Sequence, residues 1–106
     1  MSNDSAMQYA QDIADTLRNE TEDTLPDVGE YLESILDYQY TRNAQGDLVS
    51  VRLLVAYGGP NAWVTFDGSG ALVEASWYSD TQRVYVDSVP MSAMILDYFD
   101  EAVLVA

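Results

Sequence analysis

Apolar residues recur along this chain first with a helical period, then with a strand period, and finally with a helical period again. In residues 6–17 they recur every three or four positions, which predicts an amphipathic helix. A second helix is predicted over residues 26–37, because Pro26 suits a first helical turn and the helical spacing continues through Leu32 and Ile35. The chain is therefore expected to begin with two helices.

The middle of the chain alternates apolar and polar residues, which is the period of a β-strand with one buried face. Turns rich in Gly, Asn and Asp interrupt the alternation at three places. Because these connections are short, consecutive strands are expected to pair as an antiparallel meander of four or five strands. The predicted strands cover residues 38–42, 48–57, 62–66, 71–78 and 83–86.

The strands carry several aromatic residues, most of which are expected to lie in the core or in cross-strand pairs. Any that face outwards would suit a protein interface, where Tyr and Trp are enriched. These residues are Tyr38, Tyr40, Trp63, Trp77, Tyr78 and Tyr85.

A last helix is predicted after the strands, with Ser88 as its cap and Pro90 in its first turn. Its apolar face is expected to cover one side of the sheet. The sequence thus predicts a single α+β domain over residues 1–106, with two N-terminal helices, the meander sheet and a C-terminal helix packed on that sheet. The residues of the apolar face are Met91, Met94, Ile95, Tyr98, Phe99, Ala102 and Val103.

Charge changes this picture, because 18 Asp and Glu residues stand against four Arg, with no Lys or His, and the net charge is −14. A surface that serves solubility alone usually mixes both signs, with a net charge of about 2–8 in magnitude. Ten of the acids and one Arg fall between Asp4 and Asp37, a net charge of −9 in about a third of the chain. Like charges three or four residues apart destabilise a helix, so local stability does not explain them.

The residue types that the sequence lacks exclude several kinds of catalytic site. Without Cys or His there is no Ser–His or Cys–His pair, and without Lys there is neither a Schiff base nor a P-loop. Pairs of carboxylates remain, but the acids fall mainly on helical positions expected to face water. The glycine-rich segments 58–61 and 67–70 fit turns better than phosphate or calcium loops. We therefore expect no enzymatic activity, cofactor or metal ion.

The acidic array has a physical counterpart in DNA. Duplex DNA carries one charge per roughly 1.7 Å, so fourteen charges match about 24 Å of duplex. A domain of this length is expected to be roughly 33 Å across, which gives a comparable charge density. Such a surface repels nucleic acids and anionic lipids, and it favours a basic protein as partner. The predicted partner-binding residues are Asp12, Asp15, Glu20, Glu22, Asp23, Asp27, Glu30, Glu33, Asp37, Asp97, Asp100 and Glu101.

The acidic array, the small size and the helix–sheet–helix order resemble the small anti-CRISPR and anti-restriction proteins of phages and mobile elements. Several proteins of that class are acidic DNA mimics that occupy the DNA-binding groove of a nuclease. The resemblance implies a non-enzymatic inhibitor of a Cas effector or restriction enzyme, acting in the cytoplasm of the host cell. Residues 51–63 are also similar to a segment in short proteins of gut-bacterial mobile elements, a likeness that implies no activity.

Two other interpretations stay open. Twelve of the eighteen acids are Asp and Lys is absent, which is typical of a structural or housekeeping domain with a halophile-type surface. An antitoxin-like partner of a basic protein would carry the same charge. N-terminal residues Met1 to Asp4 lack the features of a signal peptide, and no apolar run approaches the length of a membrane span. The exposed edges of the sheet leave room for a homodimer.

Overall fold

Five antiparallel strands form the sheet of this computed structural model, which describes residues 6–19, 32–58, 61–77, 79–87 and 89–103. The strands follow one another across the sheet in chain order, so each pairs with the strand before and after it. This arrangement confirms the predicted α+β fold and its antiparallel meander. The strands are β1 (Asp37–Arg42), β2 (Leu48–Ala56), β3 (Asn61–Asp67), β4 (Gly70–Trp77) and β5 (Asp80–Asp87).

Two helices in the described part of the chain cover one face of the sheet. Helix α1 (Ala6–Asn19) lies over β4 and β5. Helix α2 (Pro90–Tyr98) continues into a π-helical turn (Phe99–Val103) and lies over β2, β3 and β4. Buried residues from both helices join one core with the strands, and no helix among the described residues covers the other face of the sheet. The predicted packing of the C-terminal helix on the sheet is therefore confirmed.

The core is built from small and branched residues that alternate along the strands. Val51 lies opposite Phe66 in the β2–β3 ladder, and Phe66 lies opposite Ala71 in the β3–β4 ladder. All three are fully buried. Helix α1 contributes mostly alanines, among them Ala10 and Ala14, so its backbone can approach β4 and β5 closely. Helix α2 contributes larger side chains and fills the space above the middle of the sheet.

The second predicted helix is correct only in part. Half of its range, residues 26–31 of 26–37, lies outside the described residues, and its existence there stays a prediction. Leu32 and Glu33 are helical, but Asp37 is the first residue of β1 and does not end a helix. The physical reason is that the amide of Leu36 already donates to the carbonyl of Leu54 on β2, at 3.0 Å.

The cap predicted for the last helix is also wrong. Val89 occupies the N-cap position, and it makes no side-chain capping hydrogen bond. The predicted place of Pro90 in the first turn is confirmed. The first turn closes through the amide of Ser92, which donates to the carbonyl of Val89 at 3.0 Å.

Two irregularities interrupt the alternation predicted for β2. Thr41 lies opposite Ser50, but Arg42 lies opposite Leu48, so Val49 has no partner on β1. The side chain of Val49 is 43% exposed. The pairing with β3 shifts in the same way around Val55. A bulge inserts one extra residue and moves the following side chains to the other face, which the alternation alone does not reveal.

The strand aromatics contribute less to the core than predicted. Tyr38, Tyr40 and Tyr85 are each more than a third exposed, while Trp63 and Trp77 are half-buried. Tyr78 lies outside the described residues. Phe66 and Phe99 are the fully buried aromatics of the described core. These tyrosines therefore contribute more to the protein surface than to the core.

Candidate functional site

The acids of the two helices project away from the sheet. On α1, the buried residues lie on one side, and Asp12 and Asp15 lie about 150° around the helix from its centre, at roughly 100° per residue. On α2, Asp97 lies opposite the buried Met91 and Ile95 in the same way. Both helices lie on the same face of the sheet, so these exposed carboxylates share one side of the molecule.

The structure describes seven of the twelve predicted partner-binding residues, and all seven are exposed. Asp12 and Asp15 lie on α1, while Glu33 and Asp37 lie where the chain enters β1. The other three are Asp97, at the end of α2, and Asp100 and Glu101, in the π-helical turn; we call these three the C-terminal acidic cluster. The remaining five, Glu20, Glu22, Asp23, Asp27 and Glu30, lie outside the described residues.

A helix over residues 26–37 would place Glu33 and Asp37 on one face, but in the structure the two acids do not share a helix. Glu33 is helical, whereas Asp37 begins β1 and accepts a hydrogen bond from the amide of Tyr38 through Oδ1, at 2.8 Å. Asp37 is therefore placed by the sheet. The two acids remain close in sequence, and both face solvent.

The helix side of the described fold has little compensating charge. Asp15 accepts from Arg18 Nη1 at 2.6 Å, in a pair that is about half exposed on both sides. An exposed pair of this kind contributes about 0.3–0.5 kcal/mol. Asp12 Oδ1 accepts from the side-chain Nε2 of Gln8, at 2.8 Å. Within the described residues, the C-terminal acidic cluster forms no ion pair, so its field reaches solvent with little neutralisation.

Two arginines lie instead on the face of the sheet that no described helix covers. The guanidinium of Arg52 stacks over the ring of Trp63, 4.0 Å from its centroid, and Arg52 Nη1 donates to Gln39 Oε1 at 3.1 Å. Glu74 joins Arg52 at 3.7 Å and Arg83 at 3.0 Å, through its two carboxylate oxygens. This arginine network places half of the chain's four arginines behind the sheet, away from the helix-side acids.

Sequence reasoning missed the arginine network, although its signal is present. Trp63, Glu74 and Arg83 lie directly opposite one another across β3, β4 and β5. All three occupy the positions of their strands that alternate with the buried ones. The register between the strands brings them together, and that register has to be known before the pairing can be inferred.

A small acidic pocket opens between α2 and the β1–β2 hairpin. Asp47, Asp97 and Asp100 line it together with Gly46, Leu48 and Leu96, and its volume is about 210 Å³. Asp47 was not among the predicted residues. The hairpin places it, since Asn43 Oδ1 accepts from the amides of Gln45 and Asp47, at 3.0 and 2.9 Å.

A larger, mainly apolar pocket of about 360 Å³ lies beside β1. Its walls come from the segment before β1, from β1 itself and from the π-helical turn. Sequence reasoning did not predict it, because it depends on the approach of Phe99 to Tyr38 across 61 residues of chain. The lining residues are Leu32, Ile35, Leu36, Asp37, Tyr38 and Phe99.

In the part of the chain that the structure describes, no three His, Cys, Asp or Glu side chains are grouped so that they could hold a metal ion. This holds for the three carboxylates of the acidic pocket, Asp47, Asp97 and Asp100. Neither helix among the described residues has the length and apolar content required to cross a membrane.

Comparison of the chain with protein-family models, with curated proteins and with solved structures found no match. A function is therefore inferred from the charge distribution, the arginine network and the two pockets. These features together describe a domain with an acidic helix side and a sheet face that holds paired arginines.

The C-terminal acidic cluster is expected to lower the free energy of unfolding of the isolated protein. Acids at the C-terminal end of a helix oppose its dipole, at a cost of about 0.3–1 kcal/mol each at low salt. We expect the variant Asp97→Asn/Asp100→Asn/Glu101→Gln to be about 1–2 kcal/mol more stable than the wild type. Urea unfolding at about 20 mM and about 500 mM salt measures this gain, which should shrink at the higher concentration.

The exposed Asp87 on β5 provides the control, because a strand end lacks the dipole of a helix. Asp87→Asn should change the free energy of unfolding by less than about 0.5 kcal/mol. A triple variant that is no more stable than Asp87→Asn would contradict the proposed cost.

Proposed function

We propose that this protein is a non-enzymatic inhibitor that binds the nucleic-acid-binding groove of a defence nuclease as an acidic DNA mimic. The nuclease is a CRISPR effector or a restriction enzyme in the cytoplasm of the host cell. One observation carries the proposal: exposed carboxylates on both helices share one side of the fold, where Asp15–Arg18 is the one ion pair that the described residues form.

The charge density supports a likeness to one DNA strand more than to the duplex. The fold is 47 Å long, so its net charge of −14 amounts to about one charge per 3.4 Å. Each strand of B-form DNA also carries one phosphate per about 3.4 Å, and the duplex carries twice that. This average is lower than the sequence estimate, because the fold is longer than the expected 33 Å diameter.

A groove that holds nucleic acid carries the positive charge that the helix side of this protein lacks. Such grooves are lined with Lys and Arg, which release counterions when they neutralise phosphates. Carboxylates spaced along α1 and α2 can neutralise the same side chains. The arginine network does not interfere, because Arg52 and Arg83 lie behind the sheet and are paired with Glu74. Association should be fast and strongly dependent on salt.

A pull-down against a panel of purified Cas effectors and restriction enzymes tests the proposal directly. We expect capture of at least one enzyme, and its displacement by an excess of DNA that carries the enzyme's target. Capture should weaken steeply between about 50 mM and 200 mM salt, as it does for proteins that bind phosphates.

Each other outcome of this experiment counts against the DNA mimic. A partner that DNA does not displace would place the binding surface outside the nucleic-acid groove, as for an antitoxin-like protein with a basic partner. Absence of any partner, together with unfolding at low salt and rescue by molar KCl, would instead favour a halophile-type structural domain.

A further inference from the structure

The apolar pocket beside β1 has the dimensions of a binding site. Its volume is about 360 Å³, within the range of about 300–1,000 Å³ that ligand pockets occupy. We propose that this pocket receives a bulky apolar side chain carried by a basic segment of the partner protein. The inference rests on the proposed function and adds an anchor to it that does not depend on charge.

The walls of the pocket are held in place by the fold. The amide of Ile35 donates to the carbonyl of Leu32 at 3.2 Å, and that of Leu36 donates to the carbonyl of Leu54 at 3.0 Å. The rings of Tyr38 and Phe99, which also line the pocket, meet edge to face, with centroids 5.2 Å apart. A site formed before binding avoids the cost of ordering its walls.

Leu36 lines this pocket and presents apolar surface to water. Its side chain is 60% exposed, and that of the neighbouring Tyr38 is 44% exposed. The hydrogen bond from its backbone amide to β2 fixes its position, so it cannot turn into the core without releasing the start of β1. An apolar side chain that enters the pocket would cover Leu36 and Tyr38 together.

Charge around the pocket identifies the occupant as part of a basic segment. Asp37 lines the pocket, Glu33 is exposed next to Leu32, and Asp100 and Glu101 follow Phe99 directly. The described lining residues include no base. A second copy of this chain fits poorly, since each copy has a net charge of −14. An apolar anchor within a charged rim is the usual arrangement of a binding hot spot.

Two synthetic peptides of equal charge test the proposal with the complete protein. Both carry arginines on either side of a central residue, which is Phe in one peptide and Ser in the other. We expect the Phe peptide to bind about tenfold more tightly, because part of an apolar side chain leaves water. The dependence of affinity on salt should be the same for both peptides, because their charges are equal.

The matched variants are Leu36→Ser and Tyr57→Ser. Both residues are exposed, but Tyr57 lies beyond the end of β2 and does not line the pocket. Leu36→Ser should remove most of the preference for Phe, whereas Tyr57→Ser should keep it. Thermal unfolding of both variants should match that of the wild type, since neither side chain is buried.

The outcomes separate this proposal from the function on which it rests. Equal affinity of the wild type for the Phe and Ser peptides would overturn the pocket proposal and leave the acidic surface intact. Failure to bind either peptide would count against both. A third peptide, with the same Phe but with Gln in place of every Arg, should bind much more weakly. If it bound as tightly, the occupant would be a neutral apolar ligand, and the proposal of a basic segment would be wrong.

Discussion

Reversal of the C-terminal acidic cluster, in the variant Asp97→Lys/Asp100→Lys/Glu101→Lys, is expected to weaken binding to the captured nuclease about 100-fold. Each exposed charge contributes up to about 1 kcal/mol to a complementary surface. Loss of three such contacts, with repulsion added, amounts to roughly 3 kcal/mol or about two powers of ten in affinity. Titration calorimetry at about 100 mM salt measures the change, and the slope of log Kd against log salt should also fall.

Two further variants test whether position matters in addition to total charge. Glu33→Lys/Asp37→Lys alters the acids beside the apolar pocket, and Asp80→Lys/Asp87→Lys alters exposed acids on β5. Per reversed charge, the first pair should resemble the C-terminal acidic cluster, whereas the second pair should have a much smaller effect. Equal losses for all three variants would show that the net charge alone determines binding, and the assignment of a surface would then be wrong.

The elements that could be predicted from the sequence are those with a strong local pattern. Helix α1 follows from apolar residues at helical spacing, and its buried residues Ala10, Ala14 and Leu17 repeat every three or four positions. The meander follows from short turns between alternating segments, since two strands joined by a tight turn have little choice but to pair. Pro90 marked the start of α2, because it fits a first helical turn.

The boundary between helix and sheet at residue 37 could not be predicted in the same way. Leu32 and Ile35 keep a helical spacing, and no residue between them and Tyr38 breaks a helix. The helical pattern ends because Leu36 bonds to Leu54, a contact across the sheet that depends on tertiary structure. Tertiary contacts of this kind override local propensity.

The candidate surfaces were predicted unevenly for a related reason. The exposure of Asp12, Asp15 and Asp97 follows from helical geometry, because each lies opposite an apolar stripe. By contrast, Asp47 meets the acids of α2 only because a hairpin and a helix approach one another, 50 residues apart in sequence. Contacts of this kind depend on strand register and helix placement, which no local pattern contains.

The sequence also does not distinguish the two glycines at the β3–β4 turn, and substitution of one of them has the largest expected effect on stability. The sequence Asp67-Gly68-Ser69-Gly70 predicts a turn without distinguishing its glycines. A Cβ atom on Gly68 would meet open space. On Gly70 it would overlap the backbone carbonyl oxygen of Val86 and lie 3.1 Å from the carbonyl carbon. The obstacle is the backbone of β5, so no side-chain rotation can relieve it.

Gly70→Ala should therefore lower the free energy of unfolding by about 3 kcal/mol, as expected for an overpacked interior. The strand has little freedom to move, because the buried hydroxyl of Ser92 donates to the carbonyls of Gly70, at 3.1 Å, and Asp67. These bonds join the turn to α2.

The control variant Gly68→Ala should change stability by less than about 0.5 kcal/mol. Urea unfolding followed by circular dichroism compares the two variants, and equal losses would contradict a specific role for the close approach at Gly70. If Gly70→Ala alone is destabilised, the close approach of β4 to β5 is the cause. Weaker nuclease binding by that folded variant would then show that α2 needs this support to present Asp97.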